Sequence, residues 1–209
     1  MATTPHTKRQ EQALARRRQL IHTALLLFSE KGYRGTSVRD IARTAGVNEG
    51  LLYHYFSSKA DLFRAVLDEY APIGAFSAFP APEANPQPGE YAFDKALLAF
   101  GQEFAARIRE YRTFIVTMLT EAPSDPELGG ILSEFLRATQ SNMTRFLASY
   151  REAGQINPQV PIEIAAHVLQ GSLMLHILME VLRAPTAASD GDRALSDIVS
   201  VLLLGLAPR

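Results

Sequence analysis

TSVRDIARTAGVNEGLLYHYFSSKADL, residues Thr36 to Leu62, reads as two short helices joined by a glycine turn, with a third helix starting behind them. Ser37 has the chemistry of an N-cap, and Asp40, three residues on, supplies the acid of a short capping box, so a helix starts at Val38. Ile41 and Ala45 lie four apart on one face and can pack inward, and Gly46 follows where a left-handed residue ends the helix. Beyond the turn, Val47 can plug the angle between the helices, Asn48 can cap the second one, and Leu52 with Phe56 repeats the inward spacing. Ser58 caps a further helix that opens with Lys59.

Opposite the buried stripe of the second helix stand Gly50, Leu51, Tyr53, His54 and, near the edge, Tyr55, which is more exposed aromatic surface than a solvated helix favours. Duplex DNA fits such a surface. A helix enters the major groove, apolar groups meet thymine methyls, and hydroxyl or imidazole tips reach phosphates. Lys59 puts a cation beside backbone amides that already attract phosphate, which makes it a candidate phosphate clamp. From patterning alone, an ordinary helical hairpin with an aromatic edge is the alternative.

At these residues the chain resembles the TetR family of bacterial transcriptional repressors. The resemblance runs from about Arg17 to Val66, through ALLLFSEKGYRGTSV, DIARTAGV and LLYHYFSSKADLF. In it Phe28 buries the end of the first helix, Gly32 with Tyr33 makes the turn out of it, and Leu62 and Phe63 anchor the connecting helix. The resemblance implies that Ser37 and Lys59 meet phosphates, and that Arg39, Asn48, Gly50, Leu51, Tyr53, His54 and Tyr55 meet bases or backbone. Arg39 is the best candidate for a guanine contact, because its fork suits the two acceptors on a guanine edge. Glu49 departs from the family, where many relatives carry a cation or a small polar residue. It either accepts from a cytosine amino group or points to solvent as a spacer.

The chain of 209 residues has a formal net charge of −1, which suits a nucleic-acid binder only when it is divided. Residues 1–64 hold eleven Lys and Arg against five Asp and Glu, net +6, whereas residues 65–209 hold ten against seventeen, net −7. A basic head and an acidic body are expected of a protein that docks one end on phosphates. There is no cysteine, hence neither a disulfide framework nor a thiol metal site. No apolar signal segment opens the sequence and no run of about 18 apolar residues interrupts it, so a soluble cytoplasmic protein that makes no membrane contact is expected.

The expected organisation is all-α with about nine helices: a flexible basic arm over 1–16, a helix-turn-helix head of three helices within 17–75, and a ligand-binding and dimerisation body over 76–209. The arm carries Lys8 and Arg9 and runs into Arg16, Arg17 and Arg18; either it enters a minor groove or it is a solvated tail. The fourth helix is expected over Lys59 to Tyr70, and FSAFPAPEANPQPGE after it is a loop, a connector or a lid. Body helices are expected over Tyr91 to Glu110, Arg112 to Ala122, Pro126 to Gly154, Ile162 to Arg183 and Arg193 to Leu206, with no strand pattern.

The last two of these are the most apolar and are expected to pair with their own copies in a two-fold interface. Gly171, Leu175, Leu178 and Leu182 on one helix, and Leu195, Ile198, Leu202 and Leu206 on the other, are the candidate interface. The resemblance implies the same dimer, and a ligand pocket in the body. Phe100, Phe104, Met118, Phe135, Met143, Phe146, His167 and Met174 are candidates for its wall, since methionine-rich surfaces accept varied apolar guests. His167 and His176 are nine apart, which turns them to opposite helix faces, so they cannot share a metal; each has an acid one turn away, Glu163 and Glu180, with which it can hydrogen-bond.

No metal site and no cofactor are expected. The sequence has no HExxH, GxSxG, Walker loop or GxGxxG after a strand, so it does not read as an enzyme. The function expected is a regulator that binds a palindromic, double-stranded operator as a homodimer and is released by a small apolar or amphipathic effector. The alternative is a helical protein-interaction module without sequence-specific DNA binding, which salt-sensitive DNA binding would distinguish.

Overall fold

A computed structural model describes residues 5–71 and 92–182, together with 197, 200, 201, 205 and 206 near the C-terminus. The described residues form eight α-helices and no strand: α1 Pro5–Gly35, α2 Val38–Thr44, α3 Glu49–Tyr55, α4 Lys59–Tyr70, α5 Ala92–Glu110, α6 Arg112–Glu121, α7 Pro126–Glu152 and α8 Ile162–Leu182. A 3-10 turn, Ala122–Ser124, separates α6 from α7. The expected proline-rich loop and most of the expected last helix, with Leu195, Ile198 and Leu202, lie outside the described residues.

The chain divides into two compact units whose boundary is not the linear one. The first takes residues 1–70 together with 113–133, and the second takes 71–112 with 134–209. The stretch through the end of α6 and the start of α7 thus folds with the head. Phe63 of α4 explains why: its ring meets Phe28 at 5.1 Å, Tyr33 at 5.0 Å and Phe114 of α6 at 5.7 Å. Phe28, Phe63 and Phe114 are all at most 2% exposed. Burying such a side chain contributes about 1.5–3 kcal/mol, so this aromatic cluster alone is a strong reason for 113–133 to stay with the head.

The head begins earlier than expected. Instead of a flexible arm to residue 16, α1 is helical from Pro5, although no described side chain on it is buried before Leu20. From there Leu20, Ile21, Ala24, Leu25 and Phe28 form the inward stripe, at the spacing the sequence predicts. At Gly32 the helix breaks, with φ of 74°, a conformation that favours glycine. Thr36, 1% exposed, closes that end: its hydroxyl lies 2.8 Å from the Gly32 carbonyl and 3.1 Å from that of Leu27.

In the second unit, Phe93, Phe100 and Phe104 of α5, Met143, Leu147 and Tyr150 of α7, and Ala166, Leu169, Leu173 and Ile177 of α8 are buried. Gly154, φ 74°, stops α7 in a Schellman-type ending in which Gln155 N donates to Tyr150 O at 2.9 Å. Gln155 itself, 1% exposed, accepts from Phe93 N at 3.0 Å and so starts α5 against the end of α7. Arg112 Nη2 donates to the Val181 carbonyl at 3.0 Å, which satisfies the end of α8.

Among the described residues, one face of α8 is covered and the other is not. Ile162, Ala166, Leu169, Leu173, His176 and Ile177 point inward, while Ile164 (60%), Val168 (51%), Leu175 (59%), Met179 (56%) and Leu182 (71%) stand in solvent. Gly171 lies in that outer row with nothing within 4 Å of where a Cβ would be, so a neighbouring backbone has room to approach. Leu206 does not belong with it: 7% exposed, its carbonyl accepting from Asn157 N at 2.9 Å, it is part of the chain's own interior. Its side chain is taken up by burial within the same chain and is not offered to a partner. By length and composition α8 can also cross a membrane, at mean hydropathy 1.4, but Glu163, Gln170 and Glu180 interrupt it and a third of its most apolar window, 33%, is buried.

Candidate nucleic-acid interface

The helix-turn-helix is built by its caps. Ser37 Oγ accepts from Asp40 N at 3.1 Å, and Ser37 N donates back to the Asp40 carboxylate at 3.4 Å, the reciprocal pair of a capping box. The Ser37 hydroxyl donates to that carboxylate as well, which holds the Asp40 carboxyl below its ordinary pKa; Arg43 adds an ion pair at 2.6 Å. Gly46 turns the chain with φ of 69°, and Asn48 Oδ1 accepts from Leu51 N at 2.7 Å to open α3. Ser58 Oγ does the same for Asp61 N at 3.0 Å, opening α4. Leu52 and Phe56 are 0% and 2% exposed, so α3 is pinned by its inner side.

That pinning decides what α3 shows. Gly50, Tyr53 and His54 form one outward stripe, with Tyr53 51% exposed, and Glu49 and Asn48 are exposed at its start. The His54 and Tyr55 rings meet edge to face at 5.3 Å. Leu51 and Tyr55, one helical turn apart, are half-buried and turn sideways instead, where they line a cleft against Arg9, Gln12, Arg16 and Gln19 of α1. Arg39 is exposed on α2.

Two expected phosphate contacts are already engaged within the chain. The Ser37 hydroxyl spends its only proton on Asp40, so it has no donor for a phosphate while the capping box stands. Lys59 Nζ donates to the Tyr33 carbonyl at 3.0 Å and sits 4.0 Å over the Tyr33 ring. The ammonium therefore ties α4 to the turn after α1, with its other protons left for an outside acceptor.

The same turn is held from the far side of the sequence. Glu121 accepts from Tyr33 N at 2.8 Å, Glu127 from the Tyr33 hydroxyl at 2.8 Å, and Asp125 pairs with Arg34 Nε at 2.7 Å. Burial, reinforced by Glu127, raises the Tyr33 phenol well above its ordinary pKa, and the Arg34 hydrogen bond holds Asp125 below its own. A Cβ on Gly32 would fall inside the Glu121 carboxylate. Sequence reasoning missed this acidic cluster. Asp125 before Pro126 is a visible N-cap, accepting from Glu127 N and Leu128 N at 3.0 and 3.1 Å, but its pairing with Arg34 spans 91 positions that no local pattern connects.

The expected pocket residues differ in burial, and Phe100 and Phe104 meet at 5.6 Å between ring centroids. Phe100, Phe104 and Met143 are fully buried; Phe135, Phe146 and Met174 are half-buried; Met118 belongs to the head's unit; and His167 is exposed. His167 Nδ1 lies 2.8 Å from the Glu163 carbonyl and 3.1 Å from Gln140 Nε2, so its partner one turn back is the backbone and not the carboxylate. His176 is buried on the opposite face, 6.5 Å between ring centroids from Phe104.

Comparison with known proteins agrees with this geometry. Residues 20–66 match the profile of the bacterial regulatory proteins, tetR family, a span that opens on the first buried residue of α1 and closes in α4. The head is that of the TetR family. This regulator is 26% identical over 155 residues, 74% of the chain and 78% of the relative, to the fatty acid metabolism regulator protein of Bacillus subtilis. It is 48% identical over 52 residues to the transcriptional repressor KstR2 of Rhodococcus jostii; that match spans only 25% of this chain and 26% of the relative. The crystal structure of FadR from Bacillus subtilis, in complex with stearoyl-CoA, shares the fold with a TM-score of 0.66 at 19% identity, covering 90% and 97% of the two chains. The relatives matched are regulators, and this chain, with a TetR-type head, is a DNA-binding transcriptional regulator.

Proposed function

We propose that this regulator is a cytoplasmic, non-enzymatic repressor that holds a palindromic operator as a homodimer and lets go when a long-chain amphipathic molecule occupies its body. The observation that carries the DNA reading is the outward stripe of α3, with Tyr53 51% exposed on a helix whose opposite side is locked by Leu52 and Phe56. In this reading Gly50, Tyr53 and His54 meet base edges and methyls, and Arg39 takes a guanine. Asn48 and Glu49 lie at the groove's rim, and Leu51 with Tyr55 follows the strand beside it. Lys59 reaches a phosphate only with the protons that Tyr33 does not use.

The aliphatic row on α8 supports the dimer. An exposed row of Ile164, Val168, Leu175, Met179 and Leu182 at helical spacing is covered most simply by the same row on a second copy. Two heads related in this way read half-sites about 34 Å apart or a little more. The effector class is supported by the relative that binds stearoyl-CoA and by the aromatic and Met-containing interior of the second unit. Gln140 Oε1 there is buried without a hydrogen-bond partner, a place for a donor on the guest.

Release requires the effector's preference to reach the head. The connecting helix α4 is one route; the residues of α6 and α7 that grip Tyr33 and Arg34 are another. A hundredfold loss of operator affinity needs a differential of only about 2.7 kcal/mol between the two states. The test is selection of bound duplexes from a random library at fixed salt, followed by titration of stearoyl-CoA into the complex. A palindrome released by the acyl-CoA is the expected result; unselective binding at every salt concentration would refute the reading.

A further inference from the structure

Leu51 and Tyr55, placed beside a DNA strand, are one wall of a cleft of about 660 Å³ between α1 and α3 whose other wall, on α1, has no role yet and is unlike that of an apolar ligand pocket. On one side stand Arg9, Gln12, Arg16 and Gln19, spaced so that they follow one face of α1; on the other stand Leu51 and Tyr55. Among the described residues no carboxylate lines it. Arg16 is also pre-set: its Nη1 donates to Gln19 Oε1 at 2.7 Å, while Gln19 Nε2 donates to the carbonyl of Ala45, the C-cap of α2, at 3.1 Å. A glutamine anchored on the helix-turn-helix thus aims a guanidinium whose other protons can serve an outside acceptor.

We infer that this cleft is a seat for the sugar-phosphate strand beside the groove that α3 enters, with Arg9 and Arg16 binding its phosphates. The inference rests on the DNA-binding reading and extends it to a part of α1 that stands clear of the core. Three observations select a nucleic-acid strand as the occupant. The cleft is continuous with the recognition helix, because Leu51 and Tyr55 form its wall. Its charged groups are cations, in a segment of net +6. Its apolar parts, Leu51 and Tyr55 with Ala13 and Ala15, lie beside the cations, as deoxyribose lies beside phosphate. Sequence information is read elsewhere, so this seat adds affinity and salt dependence without changing which bases are preferred.

The test uses the full chain, the duplex chosen by library selection, and the same duplex trimmed to the bases under α3. Arg9→Ala with Arg16→Ala is compared with Arg18→Ala, an exposed arginine of the same helix that does not line the cleft. The double variant is expected to flatten the slope of log affinity against log salt by about 0.9 for each phosphate it no longer neutralises, with base preference intact. Hydroxyl-radical protection of the flanking strand should vanish with it, and on the trimmed duplex it should bind as wild type does. A slope equal to that of Arg18→Ala, or retained flank protection, overturns the seat while leaving the DNA-binding reading in place. If wild type itself binds no duplex selectively, both fall together.

Discussion

Among the described residues, α3 and α8 both leave large apolar side chains in water, and what surrounds them differs. On α3, Tyr53 stands beside His54 and an amide cap in a segment of net +6, so the apolar surface is tipped with hydrogen-bonding groups and framed by cations. On α8, Ile164, Val168, Leu175, Met179 and Leu182 form a plain aliphatic row on a helix that contains no Lys or Arg. The first surface complements a polyanion that carries methyl groups and acceptors. The second complements only another surface with no charge to satisfy, and the nearest such surface is its own copy. Hydrophobic exposure alone does not name a partner; the polar groups around it do.

The largest effect should come from breaking the second surface. Leu175→Glu places a charge in the middle of the aliphatic row and should convert a dimer to a monomer in sedimentation. Because two linked heads bind about 10²–10⁴-fold better than one, operator affinity should fall by at least the lower figure. Binding to a single half-site should be unchanged. A variant that stays dimeric would show that α8 is not the interface.

The two surfaces are not equally legible in the sequence. The head is written in caps and turns, which act over three or four residues: Ser37 with Asp40, Gly46, Asn48 and Ser58 each do locally what their chemistry requires. Leu52 and Phe56 follow from periodicity for the same reason. The ends of α7 and the start of α8 are also readable, to within a residue or two, from Pro126, Gly154 and Ile162. Facing is not. Leu206 shares the composition of the interface leucines yet is buried within its own chain, and His167, expected in a pocket wall, is exposed, because on a helix apolar nearly all round composition does not say which side is inside. The helical start of α1 and the acids that reach Tyr33 escape sequence reasoning too. One needs a partner surface to be recognised, and the other links residues about ninety positions apart.

Gly32→Ala sharpens the comparison from inside the head. It forces a Cβ into a positive-φ position already occupied by the Glu121 carboxylate, and should cost about 1–3 kcal/mol, seen as a lower melting temperature. Adding Glu121→Ala to it should recover the steric part and leave the backbone strain. A melting temperature unmoved by Gly32→Ala would mean that the contact between 113–133 and the turn after α1 is not held in solution.

A smaller, more selective loss is expected at Arg39. Arg39→Ala should cost about 1–3 kcal/mol at a single base pair and leave the others alone, measured by repeating the library selection with the variant. Uniform loss across all sequences would reassign Arg39 to the phosphates and move specificity entirely onto α3.

The smallest effect is on pH, and it separates the two units. Asp40, through its hydrogen bond from Ser37, and Asp125, through its hydrogen bond from Arg34, both have carboxyl groups held below their ordinary value in the folded chain. A depressed folded pKa means that their stabilisation is present above the unfolded carboxylate value of about 3.9 and is lost as pH falls through the lower folded values. Both belong to the head's unit. Acid titration below about pH 4 should therefore loosen the head first, with amides of α2 and of the Arg34 turn losing protection before those of α5 and α8, and Asp125→Asn should remove part of that pH dependence. Simultaneous loss in both units would mean that the acid-sensitive contacts of the head carry no more weight than the carboxylates elsewhere. The contrast between a polar, capped surface and an aliphatic one would then concern partners alone, not stability.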